Sequence, residues 1–362
     1  MRRKERFLTA VRRQEPDRVP LFDFLFQQPI YEALIGRRPE AYNARDAVDC
    51  ALALDHDAVA IIFGSYSGFQ PVYLAENTYK DEWGTTYQKG EAAWPIDAPI
   101  GYPLRTRADL KHYRPPDPTL PGRTAEIETA CNLPNDDLAL TSAVNGPFTT
   151  AWLLMGFEAM SFALHDDPAF LTDVFRISVD FSKEAARLCV QAGCDCVWVA
   201  DDLGDSRREF FKPDLFRKYV FPFIAELVEY IDGLHVPVLL HSCGRIWSYL
   251  DDLAQTPIAA VNPLQRTAGM DLRSFKERYG KRFCIIGNID SSRTLPFGTP
   301  ADVATEVREA IDIAAPGGGY VLASDHSLHD GIPVENIVEM FRVGRDYGSS
   351  VYASHPRPAA RG

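Results

Sequence analysis

A rhythm constrains this chain most: eight short apolar runs end in small or polar residues, and most are followed by Arg, Glu and Leu at three-to-four spacing. They are "VPLFDF" from Val19, "DAVAIIFGS" from Asp57, "LALTSAVNG" from Leu138, "CDCVWVADD" from Cys194, "VPVLLHSC" from Val236, "IAAVNPL" from Ile258, "FCIIGNID" from Phe283 and "YVLASDH" from Tyr320. Near-continuous apolar runs fit strands buried on both faces of a parallel sheet. Crossover helices are expected over Phe216 to Ile231, Met270 to Tyr279 and Ala301 to Ala314.

Eight strand-helix units predict an α/β fold of the (β/α)8 TIM-barrel type, with a doubly wound sheet as the alternative. No Gly-x-Gly-x-x-Gly follows the first run, and polar residues end nearly every run instead of marking one switch point. In a barrel those ends meet at one mouth and bring together Asp23, Asn145, Asp201, Asp202, His241, Cys243, Asn262, Asn288, Asp290, Asp325 and His326. At 362 residues one unit over 1–362 is the default, since barrels routinely pass 250 residues.

The irregular part lies between the second and third runs. Residues 69–105 alternate apolar and polar positions around "DEWGTTY", which predicts an antiparallel hairpin insertion, serving as a lid over the mouth or as an oligomer contact. Phe22, Phe24, Phe26, Phe63, Tyr66 and Phe69 would give the mouth an aromatic side, or simply fill the core.

A formal net charge of -12 and the absence of a basic stripe argue against a nucleic-acid partner. No apolar run of signal-peptide or membrane-spanning length occurs, so no membrane partner is expected. Seven cysteines without a regular framework suit a reducing compartment, and the cytoplasm is the expected location.

His241 and Cys243 stand two apart at a strand end, so both side chains should point to one side. Imidazole and thiolate suit zinc, a third ligand being sought at His326 first, then Asp325, Asp202 or Cys284. A Cys-His nucleophile is geometrically awkward at this spacing, and a plain core role is a real competitor because both residue types are often buried. Of Asp201 and Asp202, at most one faces the interior, and the other would cap the next turn. Asn262 with Gln265, and Asn288 with Asp290, offer neutral groups that orient a polar ligand, although turn chemistry also explains both asparagines.

Together "RFLTAVRRQEPDRVP", "DEWGTTY", "ADDLG", "HSCGRI", "VNPLQ", "GNID", "LPFGTP", "PGGGYVLASDH" and "IPVENI" resemble the uroporphyrinogen decarboxylase superfamily, over most of the chain. The resemblance implies a (β/α)8 barrel and two branches of chemistry. In the decarboxylases an arginine-rich stretch after the first strand holds the tetrapyrrole's acidic side chains. Here the matching "VPLFDFLFQQPIY" has no arginine, which speaks against a polycarboxylate substrate.

In the cobamide-dependent methyltransferase branch, His-x-Cys on the fifth strand and a later Cys bind zinc. His241 and Cys243 fall on the first two positions, and the third falls on His326 instead of a cysteine. The resemblance thus implies zinc on His241, Cys243 and His326, and a corrinoid carried by a partner protein. Asp202, Asp325 and His326 are the expected catalytic groups, while Asp23, Asn145, Asn262, Gln265, Asn288 and Asp290 are the expected substrate contacts, with Arg245 as an anion contact. The leading expectation is methyl transfer between a small donor or thiol and that corrinoid. The alternatives are a decarboxylase of a porphyrinogen-like or smaller acid, which would need converging arginines, and a non-catalytic corrinoid or tetrapyrrole binder.

Overall fold

The structure is a computed structural model that describes residues 1–64, 69–90 and 97–352. Tyr66 and residues 91–96 of the expected insertion lie outside the described residues. Eleven strands occur among those described: β1 (Ala58–Ala60), β2 (Val72–Ala75), β3 (Thr78–Lys80), β4 (Thr86–Gln88), β5 (Ala98–Gly101), β6 (Ala139–Asn145), β7 (Cys196–Ala200), β8 (Val238–His241), β9 (Ile258–Asn262), β10 (Cys284–Ile289) and β11 (Tyr320–Ser324).

Seven of them form one parallel sheet in the order β1-β6-β7-β8-β9-β10-β11, so seven of the eight apolar runs become neighbouring strands in sequence order. The first run departs from the expectation of a regular strand. It makes one parallel bridge, Leu21 to Leu322, yet it bonds on both sides: Phe22 N–H donates to Leu322 O and Leu322 N–H to Pro20 O, while Asp57 N–H donates to Leu21 O. It therefore spans the ends of the curled sheet. Pro20 has no N–H to give to a ladder, and the run turns away after Phe22, where Phe24 N–H bonds back to the Asp23 carboxylate. Buried Asp57, gripped by Arg6, Arg18 and Leu21 N–H, fixes where the segment docks.

The sheet divides the hydrophobic core in two. Ala58, Ala60, Ala139, Cys196, Trp198, Leu239, Ala260, Cys284, Ile286, Val321 and Ala323 pack inside its curl, together with Phe7, Ala10 and Val11 of the helix Arg3–Val11. Val59, Leu140, Val197, Val199, Val238, Leu240, Ile258 and Val261 face outward to the surrounding helices. The rows alternate with the strand period of two, and both are apolar, which is why the runs read as continuous. The expected crossovers appear as Leu272–Tyr279, Pro300–Ala314 and Phe221–Asp232, the last preceded by a π turn over Phe216–Val220 that leads into Pro222. No described helix is long and apolar enough to cross a membrane.

Between β1 and β6, strands β2 to β5 form a separate antiparallel sheet. "DEWGTTY" makes its tight turn: Thr85 N–H donates to the Asp81 carboxylate at 2.8 Å, and Tyr79 faces Tyr87 across β3 and β4. Arg123, almost fully buried, holds this turn by paired bonds of 2.8 and 2.5 Å to Glu82, and donates also to Gly64 O and Asp117 O.

Candidate metal centre and cavity

The inner row of each strand, continued upward, reaches the mouth. Two residues beyond Leu239 and Ala260 come His241 and Asn262, and Asp202 keeps the phase of Trp198 on β7. His241 Nε2 stands 3.3 Å from Cys243 Sγ and 3.9 Å from Asp202 Oδ1, and the three side chains offer ligand atoms all within 4.8 Å of one another. Cys243 N–H also donates to Asp202 Oδ1 at 2.8 Å, so the "ADDLG" and "HSCG" loops are stitched together at the cluster. Gly244 makes that approach workable: its φ is +79°, and a Cβ there would lie 2.2 Å from Gly204 O.

Asp201 and Asp202 part as strand geometry requires. Asp201 turns away and receives Thr149 N–H at 2.7 Å and Phe148 N–H at 3.4 Å, capping the helix Pro147–Met155. Burial pushes its carboxyl up to about 7. Gly146 precedes that helix, and a Cβ on it would sit 2.2 Å from the Asp201 side chain. Asp202 faces the cavity, and its own N–H donates to Thr149 Oγ1 at 2.9 Å.

Asn262 does not reach into the cavity as a substrate contact. Its Nδ2 donates to Ile286 O at 2.9 Å, which turns Oδ1 toward His241 Nδ1 at 2.6 Å. A carbonyl only accepts, so the amide orientation is dictated, the His241 proton sits on Nδ1, and Nε2 presents its lone pair to Cys243 and Asp202.

These side chains form the floor of a cavity of about 300 Å³, at the small end of the range for small-molecule sites. Trp198 lines it from β7, Ile61 and Ile62 from just past β1, Phe24 and Phe26 from the first run after it leaves the sheet, Thr149, Trp152 and Leu153 from the capped helix, and Tyr79, Tyr87, Asp97 and Pro99 from the antiparallel insertion. Phe24 meets His241 edge-on at 5.5 Å. Asn145 and His326 also border the cavity. No lysine or arginine among the described residues does.

Several expected site residues are placed elsewhere. His326, the first choice for third ligand, lines the cavity outside the three-residue cluster, and Asp202 takes the third place. Burial, and then the neighbouring His241, lower its pKa. Asp23 is buried behind the wall, receiving Ser324 N–H at 2.8 Å, Ser324 Oγ–H at 3.0 Å and Phe24 N–H at 2.9 Å, so it ties the first run to β11. Asp325 is taken up by Ser291 and by Arg266 N–H, and it braces two loops. Asp290 caps its own turn through Ser292 and Arg293 N–H, and Gln265 receives Gly244 N–H. Buried Asn288 donates to Leu264 O. Arg245 leans toward Glu209, Arg266 pairs with Glu306, and Arg207, Arg208 and Arg293 are exposed, so none of them converges on the cavity.

The donor set fits zinc. Bonds of about 2.0–2.3 Å in tetrahedral array put ligand atoms roughly 3.3–3.8 Å apart, close to the 3.3 and 3.9 Å spacings around His241 Nε2. Burial raises the Cys243 thiol well above its ordinary range, and the neighbouring Asp202 carboxylate adds to this. Sequence reasoning missed Thr149, Trp152, Leu153, Tyr79 and Tyr87, because they come from a crossover helix and the insertion. The period-two phase of the strands carries no information about either.

Residues 93–347 match the family model for uroporphyrinogen decarboxylase (URO-D). The chain is 27% identical over 352 residues to a uroporphyrinogen decarboxylase of Anaeromyxobacter dehalogenans (strain 2CP-C), covering 92% of this chain and 95% of the relative. It is 23% identical over 359 residues to the methylcobamide:CoM methyltransferase MtbA of Methanosarcina acetivorans, covering 95% and 98%. Among solved structures, a methyltransferase from Methanosarcina mazei shares the fold with a TM-score of 0.78 at 20% identity, over 96% of this chain and 99% of that one.

Proposed function

Because the chain belongs to the uroporphyrinogen decarboxylase family, we propose that it is a zinc-dependent methyltransferase built on one closed (β/α)8 barrel over residues 1–362. In this reading it moves a methyl group between a small donor or thiol and a corrinoid carried by a partner protein. The observation that carries it is the Asp202, His241 and Cys243 cluster at the floor of a cavity that no described lysine or arginine lines. A zinc ion held there would supply Lewis acidity that lowers the pKa of a thiol or polarises an ether oxygen.

The chain's own residues prepare that site. Asn262 holds the proton of His241 on Nδ1 and leaves Nε2 free to bind. Cys243 and Asp202 supply the negative charge, and Asp202 also fixes the Cys243 backbone. Phe24, Trp152 and Trp198 exclude water, which strengthens every charge interaction at the floor. His326 stands at the cavity margin within reach of a bound molecule and is the proposed proton carrier. A polycarboxylate porphyrinogen finds no guanidinium or ammonium among the described residues of these walls, which weighs against decarboxylation of such a substrate.

Elemental analysis of the isolated protein tests the reading. About one zinc per chain is expected, lost in Cys243→Ala and in His241→Ala, with methylcobalamin demethylation by thiols falling in parallel. Metal-free native protein, or metal content unchanged in both variants, would overturn it.

A further inference from the structure

The same cavity carries information about what enters it. Among the described residues its titratable lining is Asp97 and Asp202 with the imidazoles of His241 and His326 and the Cys243 thiol, and no described lysine or arginine lines it. Of the stretches outside the described residues, 65–68 and 91–96 contain neither residue in the sequence, and 353–362 contains Arg357 and Arg361. The nearest arginines raised by the sequence are paired with acids or exposed away from the cavity. An anionic substrate would lose its hydration and meet carboxylates in return, which is costly for a carboxylate, sulfonate or phosphate.

The remaining walls are apolar and aromatic. Phe24, Phe26, Trp152 and Trp198 surround the space above the cluster, with Ile61 and Leu153 beside them. Part of the ring surface is already occupied by other rings, which leaves less of it to face a cation: Tyr79 stacks on Tyr87 at 5.4 Å and 18°, Phe22 covers one face of Trp198 at 5.5 Å and 22°, and Phe24 and His241 meet in a T-shaped contact. Asp97, the described lining carboxylate outside the cluster, is engaged by the Tyr79 hydroxyl.

We propose that the small substrate of this site is an uncharged, aryl-sized molecule with its methyl-bearing or methyl-accepting heteroatom pointed at Asp202, His241 and Cys243, and that the cavity discriminates against acids. The proposal rests on the methyltransferase reading for its reacting atom. It rests on the lining alone for its selectivity.

Three ligands of one shape separate the cases: anisole, benzoate and phenyltrimethylammonium, titrated by ligand-observed NMR against the isolated protein and again after chelation, so that no carboxylate-metal bond contributes. Anisole is expected to bind at least about tenfold more tightly than benzoate, in both forms. Trp152→Ala should weaken anisole by about tenfold. Leu153→Arg, which sets a guanidinium in the wall, should reverse the order in favour of benzoate. Benzoate binding as tightly as anisole to the chelated wild-type protein overturns the proposal, as does tightest binding of phenyltrimethylammonium or the absence of binding by all three. The ranking is read in chelated protein, so a failed zinc assignment leaves it intact, and a failed ranking leaves the zinc assignment standing.

Discussion

Asn262 offers a decisive test of how the cluster is built. In Asn262→Leu the side chain keeps its bulk but loses both bonds, the 2.6 Å contact to His241 Nδ1 and the 2.9 Å donation to Ile286 O. Two groups are then orphaned, each costing about 1–3 kcal/mol, so the fold should lose roughly 2–6 kcal/mol. The imidazole also becomes free to move its proton to Nε2, the atom that faces Cys243 and Asp202. Loss of such an outer partner typically weakens metal binding by about 10–100-fold, or about 1.4–2.8 kcal/mol. Zinc affinity is measured by competition with a chromophoric chelator and stability by urea unfolding. Asn288→Leu is the control, since Asn288 is equally buried and donates to Leu264 O without touching His241. It should lower stability and leave zinc affinity unchanged. Zinc affinity of Asn262→Leu within about threefold of the native value, or an equal loss in both variants, would refute the reasoning.

Further tests address the frame. Glu82→Ala leaves the buried Arg123 cation without its carboxylate, so a loss of about 3–5 kcal/mol is expected, with faster proteolysis within residues 69–105; an unchanged melting temperature counts against the tether. Gly244→Ala places a Cβ 2.2 Å from Gly204 O at a φ of +79°, and should cost more than about 2 kcal/mol and reduce zinc content, read by urea unfolding and elemental analysis. Burial pushes Asp23 up to about 7 from about 3.9 in the unfolded chain. The folded state therefore keeps a proton that the unfolded state releases, and this contribution is full below about pH 4 and is lost as the pH rises through 7. Native stability should fall by up to about 1.4 kcal/mol per pH unit across that window relative to Asp23→Asn, and parallel urea profiles of the two would dismiss the shift.

The sequence made some of this legible and concealed the rest for physical reasons. Strand order followed from apolar runs, since burial on both faces leaves a strong compositional mark. The His241 and Cys243 pairing followed from their spacing of two at a strand end. The polar residues at the other strand ends were harder, because a strand-end carboxylate looks the same whether it faces a ligand or ties down a loop. Asp23, Asp290 and Asp325 do the latter, each held by neighbouring N–H or O–H groups that no pattern of residue types reveals. Asp202 was distinguishable from Asp201 only by phase along β7. The aromatic walls were out of reach, since Trp152 and Tyr87 arrive from elements whose orientation depends on tertiary contacts.

One such contact joins floor and wall into a single lever. Asp201 holds the N-terminus of Pro147–Met155 while the next residue, Asp202, stands in the cluster and hangs its own N–H on Thr149 of that helix. The helix in turn carries Trp152 and Leu153 into the cavity. An outward shift of that helix would carry Thr149 with it and strain its bond to the Asp202 N–H, so the width of the cavity beside Trp152 and the spacing of the cluster are set by the same few bonds.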